Sequence, residues 1–168
     1  VRRGDGTYVT SLEPHLLLEA ISFVVDMHDD DSMLEIFAVR RMLESQATGL
    51  AATLGTDEQI AELQDEVDSI DAAVTIESLV DHDIRFHREI VAMSGNAYLA
   101  SLIEHLSSQT VRARVWRGLT EGGAVERTLS EHRAIADAIA QHVSALVTSL
   151  ATANIAGVER WLRQAAAS

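Results

Sequence analysis

DHDIRFHREIVAMSGN, residues 81 to 96, is the stretch on which the fold turns. Ile76, Leu79, Asp83, His87 and Ile90 follow steps of three and four residues, the spacing of one helix face. The pattern predicts a helix from about Thr75 to Ser94, broken by Gly95 and Asn96. An aspartate and a histidine sit one turn apart on the stripe that should face the core. Such groups are buried only when they are paired, protonated or metal-bound.

The flanking segments read the same way. EPHLLLEAISFVVDM (13 to 27) places Leu16, Leu17, Ala20, Ile21, Val24 and Val25 at helical spacing, with Pro14 early, where a missing N–H costs least. DDDSMLEIFAVRRMLESQATGLAATLG (29 to 55) starts at a polar cap, Asp31 or Ser32, and stops at Gly55. TDEQIAELQDEVDSIDAA (56 to 73) opens with Thr56, Asp57 and Gln59 in a capping arrangement. One further helix is expected over about 97 to 117, followed by the loop GLTEGG (118 to 123). Two last helices, roughly 124 to 141 and 144 to 166, meet at Gln141, His142 and Val143, with Ser144 able to cap the second. The expectation is an all-α fold, an antiparallel bundle of six or seven helices.

Composition agrees. The chain has 168 residues, 47% of them hydrophobic, which suffices for one buried core. A single proline and few aromatics favour helix over strand. The absence of cysteine excludes disulfide and thiolate chemistry and suits a reducing compartment. No apolar run is long enough to cross a bilayer, and VRRGDG is not a signal peptide, so a cytoplasmic, membrane-free protein is expected. The formal charge of −13 argues against a broad nucleic-acid-binding surface on this chain; only Arg2 and Arg3 form a basic spot.

Further polar residues fall on inward stripes. His132 lies among Leu129, Ile135 and Ile139, and Asn154 among Leu150, Val158 and Trp161. With a turn near 142 or 143, the two reach similar heights in an antiparallel pair rising ~1.5 Å per residue. Three helices thus aim polar groups at one level. A carboxylate with imidazoles suits a divalent transition metal, although Asp83 and His87 could also form a local hydrogen-bonded pair and His132 an ordinary core residue. His82, His105 and His142 read as surface residues. Arg40 is in line with Ile36, Leu43 and Ala47 and should point inward. Arg112 and Arg114 are two residues apart, so at most one joins it. Asn96 reads first as a helix cap.

Taken together, these pieces resemble the effector-binding FCD domain of the FadR subfamily of GntR transcriptional regulators. VRRGDGTYVTS resembles the last hairpin of a winged helix-turn-helix with its connection, and FAVRRMLESQATGLAA the first long effector-domain helix. DIRFHREIVAMSGN is similar to the central Asp and His motif, and SEHRAIADAIAQHVSALVTSLATANIAGVERWL to the closing helix pair. The resemblance implies a wing and linker over residues 1–11 and an FCD-like domain over 12–168. It implies an aspartate and three histidines holding a metal, zinc or nickel, at the floor of a pocket for a small carboxylate effector. By position the ligands are Asp83, His87 and His132; the third histidine is replaced by Asn154, a neutral and weak ligand. QHVS stands where the family turns with glycine and aspartate.

Arg40 matches an effector-facing arginine, with Arg112, Arg114 and Asn96 as further candidates; a guanidinium fork holds a carboxylate by two parallel hydrogen bonds. An ion pair of Arg40 with Glu44 is the competing reading. The implied protein is a non-enzymatic homodimer that meets operator DNA through an N-terminal winged helix-turn-helix mostly absent from this chain. The alternatives are an all-α metal-dependent enzyme and a ligand-free helical interaction module.

Overall fold

The structure, a computed structural model, describes residues 31–166. Seven α-helices and no strand are found among the described residues: α1 (Asp31–Leu54), α2 (Asp57–Asp68), α3 (Ile76–Ala92), α4 (Ala97–Gln109), α5 (Val111–Thr120), α6 (Ala124–Ala140) and α7 (Ser144–Ala166). The wing remnant expected over 1–11 and the helix expected over 13–27 lie outside the described residues. The count of seven therefore arises differently from the expected one, because the single helix anticipated over 97 to 117 is two.

The caps at Thr56 and Thr75 follow from residue type, whereas Ser144, expected to cap the last helix, is its first residue and donates through Oγ to the Gly49 carbonyl at 2.9 Å. Thr56 and Gln59 form a reciprocal capping box at the start of α2. Thr75 accepts from the Ser78 N–H at the start of α3, and Gly95, in the left-handed region at φ 71°, follows its end. At the α6 end, His142 takes the left-handed position at φ 56° that glycine usually fills. Its N–H donates to the Ile139 carbonyl and that of Val143 to Ala138, the paired bonds of a Schellman turn. The His142 ring is anchored by its Nδ1, 2.8 Å from the Ala52 carbonyl oxygen.

The α4/α5 break falls at Thr110, with no glycine or proline to announce it. Thr110 Oγ1 donates to the Ser107 carbonyl at 2.9 Å and accepts from Arg40 Nη1 at 2.6 Å. Arg114 Nη2 donates to the same Ser107 carbonyl at 2.6 Å. Two buried guanidinium groups thus stabilise the break. The helix also continues to Thr120, shortening the loop expected over 118 to 123.

α1 and α7 pack antiparallel along most of their length, tied by Arg41 to Glu159 and Ser45 to Thr152 at 3.1 and 2.9 Å. Gly49 permits the closest approach: a Cβ there would stand 2.4 Å from Thr148 Oγ1. α2, α3 and α6 close the bundle around Leu63, Phe86, Ile90, Ile135, Ile139 and Val147. None of the described helices is long and apolar enough to cross a membrane.

Candidate functional site

α3 buries a wide face, including Leu79, Val80, His82, Asp83, Phe86, His87, Ile90 and Val91. Asp83 and His87 point from it toward His132 on α6. One donor atom from each of these three residues lies within 4.8 Å of the others. Asp83 Oδ1 is 3.7 Å from His87 Nε2 and 3.5 Å from His132 Nε2, and the His132 Nε2 is buried without a hydrogen-bond partner. The rings are held by packing: Phe86 stacks on His132 at 4.0 Å between centroids, and His87 meets His132 edge to face at 5.4 Å.

His82, expected at the surface, is instead fully buried. Its Nε2 lies 3.0 Å from His132 Nδ1, and its Nδ1 lies 2.9 Å from Glu66 Oε1 on α2. The physical reason is legible afterwards: Leu79, His82, Phe86 and Ile90 make a second run of three- and four-residue steps, beside the Asp83 and His87 stripe. His105 is half-buried and His142 exposed.

Charge is compensated from two further helices. Arg114 Nη1 sits on Asp83 Oδ2. Burial opposes ionisation of Asp83, but the Arg114 guanidinium outweighs it and holds the carboxyl well below the usual range. Arg40 donates through Nε and Nη2 to the two Glu44 oxygens at 2.8 and 3.1 Å, and through Nη1 to Thr110. Glu44 also accepts from Ser107 Oγ at 2.9 Å. Against the cost of burial, Arg40 holds its carboxyl below the ordinary value, with the Ser107 hydroxyl adding a hydrogen bond. Burial pushes His82, His87 and His132 down, favouring neutral imidazoles.

A cavity of about 40 Å³ opens beside this cluster, with Arg40, Asp83, His87, Arg114, Arg117 and Asn154 on its polar wall. It has room for little more than a water or two with the side chains in place. Asn154 donates through Nδ2 to Glu131 Oε2 at 2.7 Å. Arg117, which sequence reasoning passed over, is buried and reaches Glu121 through Nε at 2.5 Å, while its Nη2 has no partner; Arg114 Nε is likewise unpartnered. The signal for Arg117 was its place one turn beyond Ala113 and Arg114 on the same face of α5. Arg112 is exposed, and Asn96 is an exposed N-cap whose Oδ1 accepts from the Leu99 N–H at 3.1 Å; neither lines the cavity.

Fold and site together define an all-α bundle with a charged, enclosed polar centre. The chain belongs to the FCD domain family, whose model matches residues 35–157. Two solved structures share the fold. Streptococcus agalactiae GntR superposes with a TM-score of 0.66 at 23% identity, over 95% of this chain and 73% of that one. E. coli McbR/YncC superposes with a TM-score of 0.69 at 16% identity, over 90% of this chain and 78% of that one. No curated protein matches the chain.

Proposed function

We propose that this chain is the ligand-sensing domain of a GntR-type transcriptional regulator of the FadR branch, and that it takes a small carboxylic acid into the cavity between α1, α3, α5 and α7. The observation that carries the reading is the unpartnered Nη2 of buried Arg117 on the cavity wall. A buried donor without an acceptor is costly, and an incoming carboxylate supplies one. Arg114, whose Nε is also unpartnered, is the second cation on that wall. Arg40 has its donors committed to Glu44 and Thr110, so its part is to hold the wall rather than to anchor the acid.

Asp83, His87 and His132 would hold a divalent metal, zinc or nickel, with Asn154 beside them. The donor set fits: a carboxylate and two neutral imidazoles converge, and the unpartnered His132 Nε2 faces them. A bound metal would offer an open position to an oxygen of the acid. Asp83 and Glu44, both held ionised by guanidinium groups, are weak bases, which favours sensing over catalysis. Homodimerisation and DNA binding through an N-terminal unit belong to the same reading.

Calorimetric titration of metal-replete protein with a panel of small mono- and dicarboxylic acids tests it. Saturable binding is expected, weakened by ~2 to 5 kcal/mol in Arg117→Ala, the range for a desolvated charge pair that loses one partner. Equal affinity in the two proteins, or no binding of any acid, would reject the assignment.

A further inference from the structure

Three side chains from three helices form a line of contacts behind the site: Glu66 on α2, His82 on α3 and His132 on α6. The hydrogen-bonding capacity of each group leaves little freedom along it. Glu66 Oε1 also receives Arg85, through Nε at 3.1 Å and Nη2 at 3.0 Å, which keeps the carboxylate ionised and therefore acceptor-only. The His82 nitrogen facing it, Nδ1, must carry a proton. A neutral His82 then has a lone pair at Nε2, which can only accept. The His132 nitrogen facing it, Nδ1, must in turn donate, so His132 Nε2 carries a lone pair. Both rings are fully buried, which disfavours the imidazolium that would relax this logic.

We propose that Glu66 and His82 are positioning residues that fix His132 in the Nδ1–H tautomer, so that its Nε2 lone pair faces Asp83 and His87. This rests on the site reading above and adds to it a control two groups away from the donor atoms. The lone pair meets the Asp83 carboxylate at 3.5 Å with no proton between them, an arrangement that a cation relieves. Without Glu66 the opposite tautomer, with Nε2–H directed at Asp83, becomes the better solution. Histidine ligands are commonly oriented through the ring nitrogen that does not bind metal, and loss of such a partner typically costs 10- to 100-fold in metal affinity. Here the partner is another imidazole, with the carboxylate one step further out.

The test reads the tautomer directly. Nitrogen-15 imidazole spectra of the metal-free protein in slightly alkaline buffer should show His132 protonated at Nδ1. Glu66→Gln is nearly isosteric at a partly exposed position, and its amide accepts or donates, so it should move the proton toward Nε2 and weaken zinc binding by about 10-fold or more. His82→Phe keeps an aromatic ring against Phe86 and should lose the preference in the same way. A wild-type His132 protonated at Nε2, or a tautomer unchanged in both variants, overturns the proposal. If the wild type binds no zinc while the tautomer still responds to Glu66, the metal assignment fails and the positioning stands.

Discussion

At the scale of single residues, the buried ion pairs divide into those that hold the fold and those with unused capacity. The Arg40 and Glu44 side chains are almost fully enclosed and share two hydrogen bonds, so removing one charge leaves the other stranded. Arg40→Ala should destabilise the domain by about 3 to 5 kcal/mol in urea unfolding. Replacing both by Met and Leu should recover much of that loss, since a well-packed apolar pair avoids the desolvation penalty. A wild-type midpoint in Arg40→Ala would show the pair to be dispensable. The buried imidazoles act on stability through protons. His82, His87 and His132 have folded values below the ordinary 6.5, among the charges of Glu66, Asp83, Glu44, Arg40 and Arg114. The unfolded chain therefore binds protons first as pH falls. Their contribution is complete above the unfolded value and is lost as pH drops from about 6.5 toward the folded values, by about 1.4 kcal/mol per pH unit for each histidine in that window. Urea midpoints measured between pH 7.5 and 5.5 should fall steeply, and a flat profile would contradict burial of three neutral rings.

Elements show which parts of the architecture local sequence can announce. The capping box at Thr56, the Thr75 cap and the stop at Gly95 are statements of residue type, and they appear where type places them. The break at Thr110 is not such a statement. It depends on Arg40 from α1 and on Arg114, which turns back to the Ser107 carbonyl, and those partners meet only after the chain has folded. The same distinction applies to the site. Asp83, His87 and His132 are visible as polar interruptions of apolar stripes; His82 is hidden because a helix enclosed by α2 and α6 buries two adjacent stripes rather than one. Close helix packing also makes a prediction. Gly49→Ala places a methyl 2.4 Å from the oxygen of a stiff β-branched residue, so α1 and α7 must shift apart, at a cost of about 1 to 3 kcal/mol. Gly122→Ala, with nothing within 4 Å, should change the thermal midpoint little. A midpoint for Gly49→Ala equal to that of Gly122→Ala would mean the α1/α7 contact yields freely.

For the molecule as a whole, the distribution of charge between inside and outside matters more than its sum. Among the described residues the buried guanidinium groups Arg40, Arg114 and Arg117 equal in number the buried carboxylates Glu44, Asp83 and Glu159, so these six cancel in the formal charge of −13. Such a body should not hold DNA by itself, and gel-shift titration of this chain alone should show no complex at moderate salt. The unpartnered Arg117 Nη2 lies buried within a chain whose net charge is negative. At long range the net negative charge of the chain repels an approaching anion, and at short range the guanidinium groups of the cavity wall attract it. Added salt shortens the reach of the outer field, to ~10 Å at 0.1 M, while leaving an enclosed contact largely unscreened. Stopped-flow association of a small acid should therefore quicken as salt is raised, with dissociation hardly altered, so that the exterior works as a kinetic filter passing neutral, protonated acids ahead of their anions.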